Sequence, residues 1–171
     1  MQHRIYRTAK PFVKWVGGKT QLLGDIERTL PSDFSQKKNV IYVEPFVGGG
    51  AVLFWILQAV INDINPHLIT TYKVIKEQPY KLIEQLKELQ EKYIPLGEED
   101  RKEYYLNKRD IYNASSLSEI ETAALFIFLN RTCFNGLYRV NSKGKFNVPH
   151  GKYANPRICD EDTILADSKI L

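Results

Sequence analysis

The stretch Val40-Ile41-Tyr42-Val43-Glu44-Pro45-Phe46-Val47-Gly48-Gly49-Gly50, followed by a second apolar run that ends at Asn62-Asp63-Ile64-Asn65, decides the fold. Val40 to Val43 reads as a strand, Ala51 to Leu57 as the start of a helix, and Ala59 to Asn62 as a short second strand. A glycine turn at the carboxyl end of one strand lets a ligand approach bare backbone. A carboxylate at the end of the next can take the two hydroxyls of a ribose. Glycine triplets alone are as often plain turns, so Asp63 is what points to a nucleoside cofactor in an α/β fold.

The glycine pattern also selects among nucleosides. A dinucleotide fingerprint has a third glycine one turn into the helix, where this chain has Leu53. Gly17-Gly18-Lys19-Thr20 looks like the end of a phosphate loop, but the upstream glycine such a loop requires is replaced by Val13. A ribose-binding carboxylate without a phosphate cradle fits S-adenosylmethionine better than NAD or ATP.

The chain has 171 residues, of which 43% are hydrophobic, enough for one domain with a core or for a domain carrying an insertion. No apolar run is long enough to span a bilayer, and Met1 to Lys10 is basic without the apolar stretch of a signal peptide. Cys133 and Cys159 have neither zinc spacing nor a disulfide framework, and His3, His67 and His150 are too scattered to nominate a metal site. Reduced thiols in a cytoplasmic protein are the reading that follows.

Net charge is only +4, but its distribution is uneven. From Thr122 through Cys159 there is no Asp or Glu, while Arg131, Arg139, Lys143, Lys145, Lys152 and Arg157 all fall in that window. Phe134, Tyr138, Phe146 and Tyr153 interleave with them, and Asn130, Asn135, Asn141, Asn147 and Asn155 add amides. Cations for phosphates, planar groups for stacking and forked groups for base edges are what a nucleic-acid surface needs. The competing reading is a solvated basic loop over a core.

Elsewhere the spacing predicts helices over Gln21 to Leu30, His67 to Lys76, Tyr80 to Tyr93 and Glu98 to Tyr112. A further helix over Thr122 to Asn130 begins at Ser118-Glu119-Ile120-Glu121. Asn135-Gly136 and Lys143-Gly144 are turn signals around extended pieces at Leu137 to Val140 and Lys145 to Val148, which predicts a hairpin. The change from alternating strand and helix to a helical, turn-rich middle near residue 66 reads as an insertion into an α/β sheet. Asp162 to Leu171 reads as an uncapped approach to another strand.

Phe12-Val13-Lys14-Trp15-Val16-Gly17-Gly18-Lys19, Glu44-Pro45-Phe46-Val47-Gly48-Gly49-Gly50 and Asn62-Asp63-Ile64-Asn65 resemble the opening motifs of the Dam-type, or D12-class, adenine-N6 DNA methyltransferases. So do Leu129 to Arg139 and Gly144-Lys145-Phe146-Asn147-Val148-Pro149. The resemblance implies an incomplete class I, Rossmann-like S-adenosyl-L-methionine-dependent methyltransferase sheet with an inserted, mainly helical target-recognition domain that contains the hairpin. Residues 1–65 would then be the first part of the cofactor-binding domain, 66–157 the recognition domain, and 158–171 the return.

By the same likeness Trp15 and Lys19 border the cofactor, Lys19 meeting the methionine carboxylate, with Glu44, Phe46, Gly48 and Gly50 in the turn and Asp63 on the ribose. The piece matching Phe134 to Arg139 would enter double-stranded DNA, Arg139 at the position of a guanine-reading arginine. Asn135, Leu137, Pro149 and Lys152 would be neighbouring DNA contacts on a GATC-like site.

The family's catalytic Asp-Pro-Pro-Tyr does not occur in these residues. In that motif the Asp and a backbone carbonyl accept hydrogen bonds from the adenine amino group, and the Tyr stacks on the flipped base. Three readings stay open: an inert fragment of a methyltransferase, half of a split enzyme whose partner polypeptide supplies the motif, or a DNA-binding module without chemistry. None calls for a metal or a membrane.

Overall fold

The computed structural model describes residues 9–32, 34, 41–55, 59–114 and 116–171. Val40, where the first strand is expected to begin, and Leu57, the last residue of the expected helix start after the glycine turn, lie outside them. Helix α1 (Leu23–Thr29) follows a 3-10 turn over Thr20–Leu22. Strands β1 (Tyr42–Glu44) and β2 (Ala59–Ile61) pair in parallel, with Tyr42 opposite Ala59 and Glu44 opposite Ile61. The chain is thus mixed α/β with a small two-stranded parallel sheet.

Between the strands the expected helix is absent over the described residues. Ala51–Trp55 form successive turns, with the Phe54 amide on the Gly50 carbonyl at 3.0 Å and the Trp55 amide on Val52 at 2.9 Å.

Helix α2 (Pro66–Glu77) starts where its sequence says it should: Asn65 accepts from the amides of His67 and Leu68 at 3.1 and 3.3 Å, and Pro66 needs no amide partner there. Helices α3 (Pro79–Tyr93) and α4 (Glu98–Tyr112) each turn an apolar face inward, burying Leu82, Leu86 and Tyr93 from one and Tyr105 and Tyr112 from the other. Helix α5 (Glu119–Thr132) is different. It is apolar almost all round, buried from Ala123 to Asn130, and packs against α2, α3 and α4. Its start is a complete capping box, Ser118 with Glu121, a device worth about 0.5–2 kcal/mol.

After α5 the chain makes a tight turn at Phe134–Gly136 and then a short hairpin with Val140 bridged to Phe146. Asn141 builds its loop, accepting from the amides of Lys143 and Lys145 at 2.9 and 3.0 Å. The final segment is helical, not strand-like: α6 (Glu161–Ser168) packs on α2 and α3 and is capped by Asp160, which accepts from the Thr163 amide at 3.4 Å. Ile164 and Ala166 are buried there, and burial on one face holds a segment whose apolar residues do not alternate as a strand's would.

Residues 9–15 form a strap across this body. The Lys10 amide donates to Asp167 Oδ1 at 3.1 Å, Arg131 Nη2 donates to the Phe12 carbonyl at 2.6 Å, and Asn130 holds Lys14. Among the described residues no helix is long and apolar enough to cross a membrane.

Candidate functional site

The strand ladder runs directly into the glycine turn. The Asn62 amide donates to the Glu44 carbonyl at 3.0 Å and the Val47 amide to the Asn62 carbonyl at 2.9 Å, so the ends of β1 and β2 stay side by side. Asp63 then crosses between them: Oδ2 accepts from the Gly48 amide and Oδ1 from the Asn65 amide, both at 3.0 Å. The carboxylate is partly exposed, and each oxygen keeps a further lone pair for a ligand hydroxyl.

Gly48 has φ +49, and a Cβ there would lie 2.7 Å from Trp15 Cδ1 and 2.8 Å from its Nε1. The space that the missing side chain leaves is therefore filled by the Trp15 indole, delivered by the strap. Tyr72 closes the turn from beneath, donating to the Gly48 carbonyl at 2.9 Å, and its burial near Glu44 pushes its phenol well above the usual range. Gly50 is buried, its amide on the Val47 carbonyl at 2.9 Å.

What stays open is the rim. Phe46 is 82% exposed and Ile64 92% exposed, two apolar groups at the tips of the two strand ends. Glu44 is half-buried, burial raises its carboxyl above the ordinary value, and its Oε2 is buried without a partner. Lys19 stands apart: it is exposed and its ammonium donates to the Gly17 carbonyl of its own loop at 3.0 Å. The structure thus brings Trp15, Gly48 and Asp63 into one cluster with Glu44, Phe46 and Gly50, and leaves Lys19 on the neighbouring loop.

The second set of expected site residues lies on the hairpin and the segment after it. Arg139 is exposed but ordered, with Nε on Asn147 Oδ1 at 2.8 Å and Nη2 on the Asn147 carbonyl at 3.1 Å. That leaves the Nη1/Nη2 end of the guanidinium free to address an acceptor pair. Asn135 is exposed with φ +53, Leu137 is half-buried, and exposed Pro149 accepts from the Phe134 amide at 2.8 Å. Lys152, also at positive φ, is ion-paired with Glu98 at 2.5 Å. His150 is fixed behind it by the Tyr93 hydroxyl at 2.6 Å, and burial lowers its pKa.

The two sets share a wall. Trp15 stacks on Tyr138, ring centroids 5.7 Å apart and planes 23° apart, and Tyr138 in turn contacts Phe126 and Phe146 at 5.5 Å. Tyr138 lies between Leu137 and Arg139, so the indole that covers the glycine turn also backs the hairpin.

Asn130, one of the amides read as part of a nucleic-acid surface, is instead 2% exposed. Its Oδ1 accepts from the Lys14 amide at 2.8 Å, and its Nδ2 donates to the Lys14 and Gly136 carbonyls at 2.9 Å each. Neither this role nor that of Tyr72 is visible in local sequence, because the partners are remote along the chain.

The family model for D12 class N6 adenine-specific DNA methyltransferases matches residues 15–170. The chain is 50% identical over 170 residues to type II methyltransferase M.MjaIII of Methanocaldococcus jannaschii, covering 95% of this chain and 59% of that protein. It is 43% identical over 167 residues to type II methyltransferase M1.LlaDCHI of Lactococcus lactis, 95% of this chain and 55% of the relative. It is 38% identical over 149 residues to the DNA adenine methylase of Escherichia coli, 86% of this chain and 49% of that one. The chain spans about half to three fifths of the length of these relatives.

Proposed function

Because the chain belongs to the D12 class of N6 adenine-specific DNA methyltransferases, we propose that its residues form the S-adenosylmethionine-binding and DNA-reading part of a site-specific adenine methyltransferase. The observation that carries this is the Asp63 carboxylate hydrogen-bonded across to Gly48 under Trp15, with the Trp15 indole stacked on the cation-rich hairpin. A nucleoside and a duplex would meet on the two sides of one wall.

The residues suit that cofactor. Asp63 has lone pairs left for ribose hydroxyls, Phe46 offers an exposed ring for the adenine, and Glu44 carries a partnerless buried acceptor beside them. Trp15 walls the site, and Lys19 would have to leave the Gly17 carbonyl to meet a carboxylate. When bound, the cofactor supplies the methyl group.

On the DNA side Arg139 reads a guanine through its free guanidinium end, in a GATC-like site, while Asn135, Leu137 and Pro149 line the approach and Lys152 meets a phosphate. In this reading residues 66–157 are the recognition domain inserted into a Rossmann-like sheet, and the protein acts in the cytoplasm.

Adenine's amino nitrogen is a poor nucleophile until acceptors are placed on its hydrogens. The Asp-Pro-Pro-Tyr that places them is absent from these 171 residues, so they transfer no methyl group alone. Further polypeptide, in the same protein or a partner, brings it. The sheet supports such completion: parallel sheets bury both faces, whereas Val43 and Val60 are 56% and 58% exposed.

Incubation with tritiated S-adenosylmethionine and a GATC duplex tests this. Counts at background for the 171 residues, rising when a polypeptide carrying the remaining part of a relative is added, are the expected result. Sequence-specific transfer by the 171 residues alone would overturn it.

A further inference from the structure

Asn130 is placed where three parts of the molecule meet: the end of α5, the strap that carries Trp15, and the Asn135-Gly136 turn that opens the hairpin. All three of its side-chain hydrogen bonds go to backbone of the other two parts, at 2.8 and 2.9 Å to Lys14 and 2.9 Å to Gly136. It is a two-sided clamp on Lys14, taking both the amide and the carbonyl, as a neighbouring strand would.

The clamp leaves little freedom on either side. Gly136 has φ +63, and a Cβ there would fall on the Lys14 side chain, so strap and turn are in direct contact where Asn130 joins them. One residue beyond the clamp, Trp15 covers Gly48. Two residues beyond Gly136, Tyr138 stacks on that same indole. A shift of the strap by a fraction of an ångström would move the indole against the glycine turn and, through the stack, the hairpin that carries Arg139.

We infer that Asn130 is a positioning residue that sets the cofactor wall and the DNA-reading hairpin together, so that one side chain governs both cofactor affinity and discrimination between DNA sequences. The inference rests on the functional reading above. It contacts neither ligand itself. A buried amide that merely supported the core could have been replaced by an apolar group packed against α5; its three backbone partners, two of them on the remote Lys14, are what a core filler does not need.

Two variants test it. Asn130→Asp has the same size and keeps the acceptor for the Lys14 amide but loses the donors to the Lys14 and Gly136 carbonyls. Tyr138→Leu leaves the clamp intact and removes the stack, so it probes the same wall should the first variant fail to fold. For the 171-residue chain, S-adenosylhomocysteine affinity is read by calorimetry. The ratio of affinities for GATC and scrambled duplexes is read by competition, with thermal melting alongside.

The expected result is that each folded variant loses both properties at once, on the order of tenfold in each. Asp63→Ala should lose only the first and Arg139→Ala only the second. A folded variant that keeps wild-type cofactor affinity, or keeps the wild-type DNA ratio, overturns the inference. If the unaltered chain binds neither ligand, the functional reading fails instead, and the two failures are separate.

Discussion

Asp63 accepts a hydrogen bond from the Gly48 amide at 3.0 Å, fastening the end of the second strand to the glycine turn after the first. The same carboxylate that would hold a ribose is therefore also a structural tie. Its other oxygen, on the Asn65 amide at 3.0 Å, fixes the entry to α2. Local order at both strand ends depends on this one side chain, and in the proposed function so would binding.

A first consequence concerns Asp63→Asn. The amide can keep only one of the two acceptor positions, and its NH2 faces a backbone N–H in the other. The variant should lose about 1–3 kcal/mol of stability, seen in urea unfolding without cofactor. Unchanged unfolding would mean that the tie to Gly48 contributes nothing.

Gly48→Ala should be worse than an ordinary glycine replacement. Positive φ costs roughly 1–2 kcal/mol, and the new methyl would meet the Trp15 ring. The indole must move, so Trp fluorescence should change together with a fall in melting temperature. A variant with wild-type emission and melting would show that Trp15 does not rest on this turn.

Asp167 links the last helix to the strap and gives a pH dependence. Burial lifts its carboxyl from the ordinary 3.8 to about 8, with the Asp160 charge adding and the Lys10 amide opposing. The folded state therefore holds a proton that the unfolded chain releases. The stability so gained is fully present below about pH 4 and is lost as pH rises toward 8. Asp167→Asn should remove this decline, so melting temperatures of the two proteins should separate in favour of the variant between pH 5 and pH 8. Parallel curves would place the titration elsewhere.

On DNA, Arg139→Ala should flatten preference among sequences by about 1–3 kcal/mol, and Asn147→Ala, which removes the acceptor for Nε but keeps the backbone carbonyl that holds Nη2, should do so less. Lys152→Ala should weaken all sequences alike and reduce the salt slope. Because Lys152 is held by Glu98, Glu98→Gln should strengthen binding uniformly. Competition at two salt concentrations separates these effects; an Arg139→Ala variant that changes only the salt slope is no base reader.

Some of this was legible in the sequence, for physical reasons. Helix α5 announces itself by its apolar run and by Ser118 and Glu121, because a capping box is local. The hairpin is written in Lys143-Gly144, and the Glu44 to Gly50 turn with Asp63 in its residue types. What could not be read needs the third dimension. Asn130 looks like a surface amide until it is seen to reach Lys14, and no periodicity puts Trp15 on Tyr138. Helix α6 reads as a strand approach in the sequence because its cap, Asp160, precedes the apolar residues and its burial comes from α2 and α3.

The central claim, that the Gly48 turn and Asp63 hold S-adenosylmethionine, is tested most directly by titrating S-adenosylhomocysteine into the chain and into Asp63→Ala in a calorimeter. The account requires saturable binding at one site by the unaltered chain and loss of most of that affinity in the variant. Equal binding by the two proteins would contradict it.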